Sequence, residues 1–148
     1  MSSNNCLTSA EVVRQFIERV RSGREPRASA ELMAPNILSH QIVSGKAKVI
    51  ERTPANYQEH IEEFLAAYGQ YDLTIEEFLS DGDKVYVRWR QTGRHLGEIL
   101  GYAPTGLPLV WVGSAVYKVL DGKIVEYWIQ QENKGLLEQL RNQLYANQ

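Results

Sequence analysis

Apolar positions along this chain follow two periods, and the change between them falls near residue 70. Val12, Val13, Phe16, Ile17 and Val20 recur at helical spacing, behind a Thr8/Glu11 pair with capping-box spacing and ahead of Gly23 as a stop. Residues 24–27 read as a connection, and 29–33 as one or two helical turns ending before Pro35. Residues 36–43 read as a short strand and the polar, basic segment 44–52 as a loop. A second long helix starts at Thr53 as N-cap with Pro54 at its first position and stops before Gly69. Its apolar stripe is Tyr57, Ile61, Phe64, Leu65 and Tyr68.

Beyond residue 71 the period is two. Residues 71–80 and 84–92, joined by Asp81-Gly82, predict a β-hairpin, and 107–120 and 123–131, joined by Asp121-Gly122, predict another. Gly93, Gly97, Gly101, Pro104 and Gly106 mark the stretch between them as a long connection. A last helix places Leu136, Leu137, Leu140 and Leu144 on one side. Helices first and antiparallel strands later define an α+β layer fold, expected as one domain over 1–148 with 1–7 mobile.

Taking Asp121 and Gly122 as the central turn residues sets Tyr117 opposite Glu126, Ala115 opposite Trp128, Gly113 opposite Gln130 and Trp111 opposite Glu132. That face mixes small residues with aromatics and polar tips, so it predicts a hollow under the helices. The other face, with Val110, Val112, Val116, Val125, Tyr127 and Ile129, is aliphatic enough to predict a sheet-to-sheet homodimer. A slip of one residue would exchange the faces.

Composition narrows the class without naming a function. The chain has 148 residues, 43% of them hydrophobic and 23% charged, with a net charge of -2. These are globular values. Acids and bases are interspersed, which argues against a nucleic-acid footprint. Cys6 is the single cysteine, so no intrachain disulfide forms. The start of the sequence does not read as a secretory leader and no apolar run is long enough for a bilayer, so the expectation is a cytoplasmic protein without a signal.

The candidate chemistry centres on Glu132, at the end of the strand that carries Gln130 and Trp128. Between Trp111 and Trp128 a carboxyl would lose solvation on ionising, which suits it to removing a proton next to a carbonyl. The plainer reading makes Glu132 a cap for the helix that follows. Gln130 is a positioning amide, Trp111, Trp128 and Tyr117 are apolar walls, and His60 borders the second helix's stripe. His40 and His95 have no assigned role. No histidine pair has metal-ligand spacing. Arg88 and Arg90 could hold an anionic or carbonyl substrate, or simply pair with surface acids.

Gly82-Asp-Lys-Val-Tyr-Val-Arg88, Thr92-Gly-Arg-His-Leu-Gly97, Gly101-Tyr-Ala-Pro-Thr-Gly106, Asp121-Gly-Lys-Ile-Val-Glu-Tyr-Trp128 and Gly135-Leu-Leu-Glu-Gln-Leu140 occur in an order that resembles the SnoaL-like polyketide cyclases (ester cyclases) of the nuclear transport factor 2 superfamily. The resemblance implies a cone-shaped α+β barrel with a curved antiparallel sheet and N-terminal helices around an apolar pocket. It also implies aldol-type ring closure without metal or organic cofactor, using a pocket aspartate four residues after a strand tryptophan. Glu132 stands at that position, four after Trp128. Its extra methylene displaces the proton-transfer atom by about an ångström. The expected function is acid/base catalysis on a carbonyl compound, polyketide cyclisation or a related isomerisation. The alternative is non-catalytic binding of a small apolar metabolite.

Overall fold

The computed structural model describes residues 7–43 and 45–146. The expectations for Cys6 and for residues 1–6 of the mobile segment lie outside them. Helix α1 (Ser9–Gln15) opens with the expected capping box: Glu11 N–H donates to Thr8 Oγ1 at 3.1 Å, and Thr8 N–H to Glu11 Oε1 at 2.8 Å. It continues as a π-helical stretch, Phe16–Arg21, closed by the Ser22 N–H donating to the Ile17 carbonyl at 3.0 Å. A 3-10 turn (Pro26–Ala28) and the short α2 (Ser29–Leu32) lead into β1 (Met33–Val43).

The segment 44–52, expected as a loop, contains strand β2 (Lys46–Arg52), paired antiparallel with β1. Its lysines hid the alternation, and they suit its position at the edge of the sheet, where charge discourages pairing with another chain. Helix α3 (Pro54–Tyr68) has Thr53 as N-cap in a box with Asn56 and ends at Gly69, whose φ of 72° suits glycine alone. Then follow β3 (Asp72–Asp81), β4 (Lys84–Arg94), β5 (Pro108–Leu120), β6 (Lys123–Gln131) and α4 (Asn133–Ala146).

The six strands form one sheet in the order β2-β1-β6-β5-β4-β3, curved and unclosed. The sheet is mixed rather than wholly antiparallel, because β1 runs parallel to β6. Helices α1 and α3 cover its inner face. Val12, Phe16, Ile17, Tyr57 and Ile61 pack there on Val87, Trp89, Ala115, Tyr117 and Tyr127. A second cluster under α4 joins Leu136 and Leu140 to Tyr68, Leu109 and Trp111, while Leu144 is exposed.

The first hairpin turns on Gly82-Asp83, with Asp81 paired to Lys84, one residue later than the expected Asp81-Gly82. The second turns on Asp121-Gly122 as expected, both with positive φ (52° and 74°), the conformation of a type I′ turn. Past this turn the expected register fails. Leu120 faces Lys123 and Val119 faces Ile124, but Lys118 then faces Glu126, so Val125 is an extra residue in a β-bulge. Every later pairing moves by one: Tyr117 meets Tyr127, Val116 meets Trp128, Ala115 meets Ile129, Ser114 meets Gln130 and Gly113 meets Gln131.

The expected cavity face is thereby divided. Trp111, Gly113, Ala115 and Tyr117 remain inside and are joined by Tyr127 and Ile129, which had been assigned to the dimer face; Glu126 and Trp128 turn outward, and Gln130 is exposed near the end of the strand. The hollow expected beside Gly113 is filled. A Cβ at Gly113 would lie 3.1 Å from the indole of Trp89, its partner on β4.

Candidate active site

A cavity of about 480 Å³ opens between α3, β6 and the ends of β1 and β2. Phe64, Tyr127 and Ile129 give it an apolar wall, and Gln41, Gln130, Gln131 and Asn133 ring it with amides. Arg21, Arg52 and His60 supply its charged and titratable groups.

Arg21 arrives by the helix that builds the core. Val13, Ile17 and Arg21 are spaced by four, so the arginine continues the apolar stripe and is buried with it, at 1% exposure. Its Nη1 donates to the Tyr57 hydroxyl at 3.0 Å, and its guanidinium carbon lies 4.9 Å from the ring centre of Trp89 and 5.4 Å from that of Phe64. The Tyr71 hydroxyl donates to the Arg21 carbonyl at 2.7 Å and holds the backbone there. Arg52 faces inward because its β1 partner is the buried Ile37. Among the described residues neither arginine forms an ion pair, and the buried Nε of each lacks a hydrogen-bond partner.

His60 sits on α3 in tilted contact with Phe64, ring centres 4.4 Å apart. Burial, reinforced by the positive charges of Arg21 and Arg52, pulls its pKa down to about 4, so the imidazole is neutral near pH 7. Exposed Glu63 approaches its Nδ1 only to 4.0 Å.

Of the residues singled out from the sequence, Gln130 and His60 line this cavity. Trp111 and Tyr117 are core residues. Trp111 stacks on Tyr68 with ring centres 4.1 Å apart, and Tyr117 packs edge-on to Phe16 at 5.4 Å. Trp128 lies on the outer face, stacked on His40 at 4.8 Å, and His40 Nε2 is 2.6 Å from Glu126 Oε2. Glu132 stands where β6 meets α4, between the cavity-lining Gln131 and Asn133. It is exposed, not walled by Trp111 and Trp128, and its Oε1 accepts the Gly135 N–H at 3.0 Å. With Arg88, Ser114 and Gln130 it borders a shallower cleft of about 240 Å³. Arg88 and Arg90 pair with Glu77 and Glu76 at 3.5 and 3.4 Å. His95 is buried in the long connection, with its ring near the Tyr102 carbonyl and Thr105 Oγ1 at 3.1 and 3.4 Å.

Arg21, Arg52, Gln41, Gln131 and Asn133 were not anticipated. Only Arg21 carried a signal, its place on an otherwise apolar stripe. Arg52 was concealed by the reading of its segment as a loop.

The family model for SnoaL-like polyketide cyclases matches residues 11–140. The chain belongs to that family. Among solved structures it is similar to a polyketide-cyclase candidate from Acidithiobacillus ferrooxidans, with 26% identity, a TM-score of 0.79, and 91% of this chain and 96% of the other covered. It is also similar to IdmH, a polyketide-cyclase candidate from Streptomyces antibioticus, at 25% identity and TM-score 0.74, over 89% of this chain and 97% of the other. AclR, a hydroxylase candidate from Streptomyces galilaeus, shares the fold at 22% identity and TM-score 0.75, over 90% of this chain and 81% of the other. No curated protein matched the sequence. Among the described residues no helix is long and apolar enough to cross a membrane.

Proposed function

We propose that this protein is a pocket enzyme that moves a proton next to a carbonyl group, in an aldol-type cyclisation or a related isomerisation, with its substrate in the 480 Å³ cavity. The observation that carries the reading is the meeting of two guanidinium groups and a neutral imidazole on an apolar wall. Guanidinium donors stabilise the negative charge that grows on a carbonyl oxygen as the neighbouring proton leaves. His60 is the proton-transfer group inside the cavity, and Glu132 is the one at its rim, adjoining Gln131 and Asn133. Gln130 positions the substrate. The resemblance, which implies an acid/base role for Glu132, and family membership itself support this chemistry.

Phenylpyruvate, a small aromatic keto acid, provides a test. The protein should accelerate deuterium uptake at its methylene, measured by NMR, and His60→Gln and Glu132→Gln should separate the two proton carriers. Binding without acceleration would favour the alternative, a non-catalytic carrier of a small metabolite. That alternative draws support from the engagement of the Glu132 carboxylate in capping α4.

We also propose pairing of two copies through the outer sheet face, where Leu79 and Val110 are exposed beside Val112, Val116 and Trp128. Light scattering on a Val116→Lys variant tests it. A monomer where the parent is a dimer is the expected result, and a monomeric parent overturns it.

A further inference from the structure

A buried cation is costly to leave without a counter-charge. Removing a charged group from water costs several kcal/mol in real proteins unless a partner of opposite sign and hydrogen bonds replace the lost solvation. Arg21 is 1% exposed, and a guanidinium stays protonated in proteins. Its neighbours are a tyrosine hydroxyl and the faces of Trp89 and Phe64, none of which carries a full negative charge near neutral pH. The second guanidinium, that of Arg52, borders the same space and also has an unsatisfied buried Nε. Among the described residues the cavity lining contains no aspartate or glutamate, and its other polar groups are the amides and the imidazole of His60. The charge balance of this space is therefore incomplete without an occupant. Phe64, Tyr127 and Ile129 offer the rest of that occupant a flat apolar wall.

We propose that the cavity binds an organic anion, an aromatic or similarly apolar body bearing a carboxylate, with the carboxylate held by Arg21 and Arg52. This rests on the reading of the cavity as the substrate site and specifies the class of molecule that enters it. Planar guanidinium forks match carboxylate geometry, and an ion pair away from bulk water is stronger than one at the surface. Burial, and after it the two arginines, depress the basicity of His60. An arriving carboxylate offsets that field and raises the basicity of the imidazole when substrate is present.

The test uses the full chain and two probes of nearly equal shape, 2-naphthoate and 2-naphthamide. Affinity is read by calorimetry, and the His60 ring resonances report occupancy of the cavity. Naphthoate should bind at least about tenfold more tightly than the amide, the ratio expected from one charge-assisted contact. Bound naphthoate should also move the His60 titration to higher pH. Arg52→Met and Arg21→Met should each bring naphthoate down toward the affinity of the amide. Arg21→Met should keep or raise the melting temperature, since an apolar chain replaces an unpaired buried cation.

Equal binding of acid and amide, with His60 perturbed by both, would overturn the anion preference and leave the cavity as the site. Naphthoate binding unaltered in Arg52→Met and Arg21→Met would do the same. Failure of both probes to perturb His60 would overturn the anion inference and the cavity reading together. An unfolded Arg21→Met would make that arginine a structural cation and remove it from the proposal, leaving Arg52→Met to decide the rest.

Discussion

Glu132 Oε1 accepts the backbone N–H of Gly135 at 3.0 Å, which makes Glu132, the residue just before α4, a cap of that helix. A glutamine can keep that hydrogen bond but cannot exchange a proton. Glu132→Gln should therefore leave the urea midpoint nearly unchanged, whereas Glu132→Ala should cost about 0.5–1 kcal/mol through the lost cap. If Glu132 carries the proton, Glu132→Gln should slow deuterium uptake by phenylpyruvate about 100-fold or more. Full activity in that variant would assign the proton to His60.

Gly113 is small because Trp89 lies across from it. An added Cβ meets the indole at 3.1 Å, a distance at which the neighbour must give, and the neighbour here is a tryptophan buried in the core. Gly113→Leu should overpack this layer and destabilise the fold by about 1–3 kcal/mol or more. Chemical denaturation checks it; a variant as stable as the parent would mean that the inner face has spare room.

Val125 is the added residue that turns Tyr127 inward and Trp128 outward. Deleting it should force the unbulged register, expose Tyr127 and Ile129, and drive Trp128 into the core. The expected outcome is a chain without a cooperative unfolding transition by circular dichroism. A well-folded deletion variant with a dispersed NMR spectrum would show that the bulge can migrate.

His60 titrates at about 4 in the folded protein against 6.5 as its ordinary value. Below 6.5 the unfolded chain takes up the proton first, so stability is fully present above about 6.5 and falls as pH drops toward 4. Between pH 7 and pH 5 this component amounts to about 1–2 kcal/mol. His60→Gln should flatten that part of the profile, measured as urea midpoints across the range. A variant that tracks the parent at every pH would show that the imidazole is not held neutral.

Much of the frame is legible along the chain. The capping box at Thr8, the N-cap at Thr53, the stop at Gly69 and the Asp121-Gly122 turn are local features, in which neighbouring residues satisfy one another's backbone groups or supply a needed positive φ. The family resemblance likewise depends on residue types in order, and it brought the fold with it.

Tertiary structure decided which side of the sheet each residue of β6 occupies. The period of a strand is two, so one added residue at Val125 reverses every side chain after it, and both faces of this hairpin are apolar enough to be buried. No local signal separates the two registers; the choice is made by packing Tyr127 against Tyr57 and Tyr117 beneath the helices. The cavity's charge is settled at the same level. Arg21 and Arg52 are 31 positions apart in the chain, and only the closing of helix, sheet edge and β6 around one space gives them a common task.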